Sequence, residues 1–141
     1  MVMRAFGRLL AAGVALVLVA SALPAQAADS VDPIDAALAK CLDAPDGQTT
    51  AGMVTCLDTA YTAWDQALND AYNNLFDLLD ADSLAKLKAS QRKWIAFRDA
   101  ERAFLASMAK PENGTLMRVV AVQGLVDVVK VRTLQLRAIE Q

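Results

Sequence analysis

The stretch GMVTCLDTAYTAWDQALNDAYNNLFDLL, Gly52 to Leu79, decides the fold. Within it Met53, Leu57, Ala60, Trp64, Leu68, Ala71, Leu75 and Leu78 recur at steps of three and four residues. At about 100° per residue these positions share one face of an α-helix, with polar residues around the rest. Thr49 or Thr50 supplies a hydroxyl to cap its start.

Two more apolar patterns follow. One runs from Ser83, the predicted N-cap after Asp82, to Met108, with a stripe of Leu87, Trp94, Phe97, Phe104, Leu105 and Met108. KPENGT, with Pro111 and Gly114, ends it. The other starts near Thr115 and runs almost to Gln141, with Val119, Val122, Val126, Val129, Thr133 and Leu136 in phase. Val120, Val128 and Val131 fall outside that stripe, and β-branched residues slightly disfavour helix, so a strand on either side of Gly124 competes. Helix is preferred because polar residues break up any clean alternation. Three amphipathic helices joined by short loops predict an all-α protein, a small antiparallel bundle of three main helices over 52–141. Residues 28–51 read as an irregular segment with one short helix near Ile34 to Cys41, punctuated by Pro33, Pro45 and Gly47.

The first residues read differently. Arg4 and Arg8, an apolar run from Leu9 to Leu23 and then Ala25-Gln26-Ala27 predict a secretory signal peptide over 1–27, cleaved after Ala27. The run is short for a membrane anchor and ends in Pro24, so no membrane span is expected after cleavage and the chain is predicted to be periplasmic or secreted. Removing Arg4 and Arg8 takes the formal net charge from −2 to −4. The remaining charges are segregated. Asp29 to Asp82 holds eleven aspartates against Lys40 alone, whereas the residues from Ser83 onward carry five acids and eleven bases. Either the two halves dock on each other or they form a bipolar surface that attracts cationic partners. The alternative is solvated helix faces of opposite sign.

Two cysteines, Cys41 and Cys56, lie beyond the leader. An even count in an exported chain predicts a disulfide, which for a loop of about 15 residues is worth roughly 3 kcal/mol. Their spacing is too long for a C-x-x-C redox or metal pair, and the protein has no histidine. That lack also removes the usual general base and the commonest metal ligand. No serine sits in a nucleophile-elbow pattern and no glycine-rich phosphate loop exists. DLLDADS, Asp77 to Ser83, lacks the glycine and distal glutamate of a calcium loop and reads as an inter-helix turn. An acidic chain without a dense basic cluster gives little support for nucleic-acid binding. No cofactor, no metal and no catalysis are expected.

Two clusters remain. In QRKWIAFRDAERAF, Gln91 to Phe104, Glu101 falls in line with Trp94, Phe97 and Phe104. A carboxylate there is either buried against Arg98 and Arg132, fixing helix register, or part of an open groove offering Trp94, Arg98 and Glu101 to a ligand. The first reading predicts that Glu101→Ala destabilises more than Glu112→Ala. The second cluster flanks the first helix, where Asp58, Tyr61, Asp65, Asn69, Tyr72 and Phe76 step by three and four residues. Aromatic and acidic groups together suit a partner-binding edge, or a helix boundary that faces a basic neighbour.

Cys56 followed by AYTAWDQALNDAY, then LKASQRKWIAFRDAERAF, then VVKVRTLQL, resembles the lysozyme inhibitor LprI-like domain family of exported bacterial proteins, over roughly Cys41 to Leu136. The resemblance implies a small helical domain in the cell envelope, with Arg132 as the arginine that closes the pattern. It also implies a second disulfide in relatives, joining the positions of Arg102 and about Gly124; both cysteines are absent here, as expected if one disulfide was lost as a unit. The founding inhibitor type is a lipoprotein; no lipidation cysteine follows this leader. The function implied is that of a small helical binding protein that inhibits a cationic lysozyme-type protein. The alternative is a non-catalytic envelope structural or interaction protein with another partner.

Overall fold

The computed structural model describes residues 31–141, so the signal peptide expected over 1–27 lies outside the described residues. All regular structure from 31 onward is helical: α1 (Pro33–Asp43), α2 (Thr50–Leu78), α3 (Ala81–Met108) and α4 (Leu116–Arg137). No strand occurs among the described residues, so the valine-rich last segment is a helix through Gly124 and not a pair of strands.

The first three helices start where a short polar side chain takes an orphan amide. Asp32 accepts from the Ile34 N–H at 2.8 Å, with Pro33 already set for the first turn. Thr49 accepts from the Gly52 N–H at 3.0 Å and caps α2. The cap of α3 is Asp80, not Ser83 as the sequence suggested. The extended backbone at Asp80 lets its carboxylate accept from the Ser83 N–H at 2.8 Å and from the Ser83 hydroxyl at 3.1 Å. Those bonds hold the Asp80 carboxyl below its usual pKa, because they favour the ionised form.

Between α1 and α2 the chain makes a short 3-10 turn, Pro45–Gln48, and folds back sharply. A Cβ on Gly52 would stand 1.7 Å from the Asp46 carbonyl oxygen, so α2 can begin there only without a side chain. The Cys41–Cys56 disulfide, with Cα atoms 5.7 Å apart, fixes α1 on α2.

The core is the seam between α2 and α4. Leu57, Ala60, Trp64, Leu68 and Leu75 of α2 bury against Val126, Val129 and Leu136 of α4. The two helices run in the same direction: Thr50 and Val54 lie beside Thr115 and Arg118 at one end. Further along, the buried Thr133 hydroxyl donates to its own helix at Val129 O, 2.9 Å, and leans on Trp64 O of α2 at 3.3 Å. α1 packs on α2 and crosses to α4 through Asp32–Arg137 at 2.7 Å and Asp35–Lys130 at 2.6 Å. Both bases also lie over the Trp64 ring, at 5.5 and 5.6 Å from its centre. Here the acidic N-terminal part does dock on the basic C-terminal part.

α3 runs antiparallel to α4 and packs on it. It scarcely approaches α2, reaching it through long side chains. Leu87 is its one buried residue. The inward line of α3 steps through Leu84, Leu87, Gln91, Trp94, Arg98, Glu101, Leu105 and Met108, alternating three and four. Phe97 and Phe104, expected in the core stripe, are 52% and 56% exposed. They stand one step to the side of this line, and with a single neighbouring helix to cover α3, only the narrow line is buried.

Candidate functional site

The polar middle of that inward line carries the first candidate cluster. Arg98 donates to Asp99 Oδ1 through Nε at 3.0 Å and a terminal nitrogen at 2.8 Å. It also lies 4.0 Å from Asp65 on α2 and stacks 5.5 Å from the Trp94 ring centre. Arg132, on α4, donates to Gln91 Oε1 at 3.1 Å, to Ser90 Oγ at 3.3 Å and to Gln135 Oε1 at 3.4 Å. Burial works against its charge and lowers its pKa. Glu101 enters none of the ion pairs among the described residues. The expected lock of Glu101 with Arg98 and Arg132 is therefore not formed. In the antiparallel pairing Arg132 lies opposite Gln91, ten residues or about 15 Å of helix away from Glu101. Arg98 is drawn instead to the nearer carboxylates of Asp99 and Asp65.

What the structure does bring together is Trp94 and Arg132. With Phe97, Val128 and Val131 they line an open groove of about 350 Å³ on the outer side of α3 and α4. Val128 and Val131, two of the three α4 valines that fell outside the core stripe, are thus its apolar wall. Farther along the same helix pair, Leu105 packs on Gly124, where a Cβ would meet its methyls at 3.0 and 3.2 Å. At the position where the resemblance implies a second disulfide, this chain has close helix approach, while Arg102 turns to α2 and donates to the Tyr61 hydroxyl.

The second cluster lies along the cleft between α2 and α3. Asp58 and Asn69 are exposed, whereas Tyr61, Asp65 and Tyr72 are half-buried. Cations from α3 cross it: Arg102 lies 5.3 Å from the Tyr61 ring centre, Arg98 reaches toward Asp65, and Lys88 sits 4.8 Å over Phe76. Tyr72 meets Phe76 edge to face at 5.1 Å. A groove of about 360 Å³ remains between Asn69 and Tyr72 on one side and Lys88, Arg92 and Ile95 on the other. The flank is an acidic aromatic edge partly met by a basic neighbour, the second of the two readings the sequence allowed. The role of Lys88 and Arg102 was missed, since sequence phase alone does not say which flank of α3 turns to α2.

Among the described residues no group of acids and cysteines is placed to hold a metal. Asp80, inside the DLLDADS segment, is engaged as a helix cap. No helix among the described residues is long and apolar enough to cross a membrane.

The family described as Lysozyme inhibitor LprI matches residues 41–136, from the first disulfide cysteine to the last buried leucine of α4. This chain belongs to the LprI lysozyme inhibitor family. The fold is similar to the crystal structure of an uncharacterized protein from Burkholderia thailandensis, with a TM-score of 0.71 and 32% identity over 76% of this chain and 53% of that one. This chain thus spans about half the length of that relative. No curated protein matches it.

Proposed function

We propose that this chain is an exported, non-catalytic binding protein that inhibits a lysozyme-type muramidase. The observation that carries the reading is the family match over 41–136, which takes in the disulfide and helices α2, α3 and nearly all of α4. The charge distribution supports it. Asp58, Asp70 and Asp77 project from α2 as exposed carboxylates outside every ion pair among the described residues. Lysozymes of the c type are strongly basic, so these carboxylates would speed encounter, and the half-buried Tyr61 and Tyr72 beside them would supply contact area. Steering of this kind weakens with ionic strength.

The test is a cell-wall lysis assay with the purified exported chain at low and moderate salt. Inhibition at micromolar protein is expected, weaker at the higher salt and weaker again in Asp58→Lys. Undiminished lysis at micromolar excess in both conditions removes the reading. The other reading, an envelope interaction protein, draws on one specific observation. The exposed Phe97 borders an apolar groove with Val128 and Val131 that lies apart from the aspartate-bearing cleft of α2, a surface that encounter with a cationic lysozyme would not use.

A further inference from the structure

We propose that the outer groove between α3 and α4 is a docking site for an acidic amphipathic helix of a partner protein. The apolar surface there is open and elongated. Phe97 and Phe104 are seven residues apart, two turns on one side of α3, and the groove joins Phe97 to Val128 and Val131 across the gap. Val131 is 54% exposed. A strip of two to three turns matches the i, i+3, i+4, i+7 anchors by which a helix seats in a groove.

Charge selects the kind of helix. At one end of the strip Arg132 offers its guanidinium to three neutral oxygens, those of Gln91, Ser90 and Gln135, and to no carboxylate. A half-buried cation without a counter-ion is costly, and an incoming carboxylate would supply one. Lys93, exposed and four residues before Phe97, extends the basic rim. Two acids border the strip: Asp127, which is hydrogen-bonded by Gln123 at 2.9 Å, and the half-buried Glu101, four residues after Phe97. Glu101 lies about ten residues of helix away from the Arg132 end, so the acidic residue of the partner helix belongs at the Arg132 end. The proposal does not depend on lysozyme inhibition, because the aspartate-bearing flank of α2 lies in a different cleft, on the opposite side of α3.

The chain as a whole is acidic, with a formal charge of −2 in full and −4 without Arg4 and Arg8, so unspecific attraction favours a basic peptide. The groove predicts the reverse. Two labelled helical peptides of about 16 residues, sharing leucines at i, i+3, i+4 and i+7 and carrying either glutamate or lysine on their flanks, are titrated with the exported chain by fluorescence anisotropy. The glutamate peptide is expected to bind about tenfold more tightly, and Arg132→Gln or Phe97→Ser to weaken it about tenfold. Asp127→Asn should tighten it. Phe97 is exposed, so its variant tests the groove without threatening the fold, and circular dichroism of each variant confirms folding. Equal or tighter binding of the lysine peptide, no saturable binding of the glutamate peptide, or an unchanged affinity in Arg132→Gln overturns the proposal. So does a dimer in sedimentation that Phe97→Ser dissolves, which would give the strip to a second copy of this chain.

Discussion

The seam between α2 and α4 and the seam that holds α3 are made of helices of similar length, yet they have opposite interiors. The first is dry: Trp64 is fully buried, Leu75 and Val129 with it, and the one buried polar side chain, Thr133, is hydrogen-bonded. The second has Gln91, Arg98 and Glu101 on its inward line and a single buried residue, Leu87. α3 does not lack apolar residues, since it carries Trp94, Ile95, Phe97 and Phe104. Their phase puts most of them outside. Content of hydrophobic residues therefore does not say which helix stabilises the fold; the number of neighbours that each apolar face meets does. In this molecule α2 and α4 carry the stability, and α3 presents surface to both of its clefts.

That contrast can be broken most directly at the two tryptophans. Trp64→Ala is expected to cost about 3–5 kcal/mol, because it empties the centre of the seam and strips Lys130 and Arg137 of the ring they cover. Trp94→Ala, on the half-buried line of α3, should cost only about 1–2 kcal/mol. Urea denaturation of the two variants measures both. Equal losses would mean that α3 is as much a part of the core as α4.

A finer probe is Thr133→Val, which keeps the volume and removes the buried hydroxyl. Both carbonyls that it approaches, Val129 O and Trp64 O, already accept the helical N–H four residues on, so no acceptor is left without a partner. The expected loss is about 0.5–1 kcal/mol. A loss several times larger would show that the contact to Trp64 O sets the spacing of α2 and α4.

The dry seam was legible in the sequence almost residue by residue. Leu57, Ala60, Trp64, Leu68, Val126, Val129, Thr133 and Leu136 were all placed on inner faces by period alone, because a helix buried over a wide stripe repeats its pattern many times. The disulfide followed from counting. α3 was misread at Phe97 and Phe104. A stripe drawn through the largest apolar residues assumes that the helix is covered on that side, and coverage is a property of the neighbours. The Glu101 lock failed for a related reason: pairing Arg132 with Glu101 needed the register of α3 against α4, which Gln91 and Ser90 fix in the structure and no local pattern reveals. The cross-links from Asp32 and Asp35 to α4 span about a hundred residues and were visible in the sequence only as a general imbalance of charge.

The smallest expected effect is the sharpest test of the polar seam. A buried Glu101 held by two guanidiniums would make Glu101→Ala much worse than Glu112→Ala, since an uncompensated buried charge would be left behind. In the structure Arg98 keeps Asp99 and Asp65, Arg132 keeps Gln91 and Ser90, and removing Glu101 orphans neither. Alanine also suits the middle of α3 better than a half-buried carboxylate without a partner. Both variants should therefore fall within about 0.5 kcal/mol of the parent protein in thermal melting. A marked loss confined to Glu101→Ala would mean that Arg98 leaves Asp99 in solution and turns inward along its own helix. The middle of α3 would then be a held layer, and the ease with which this helix gives its phenylalanines to the surface would need another cause.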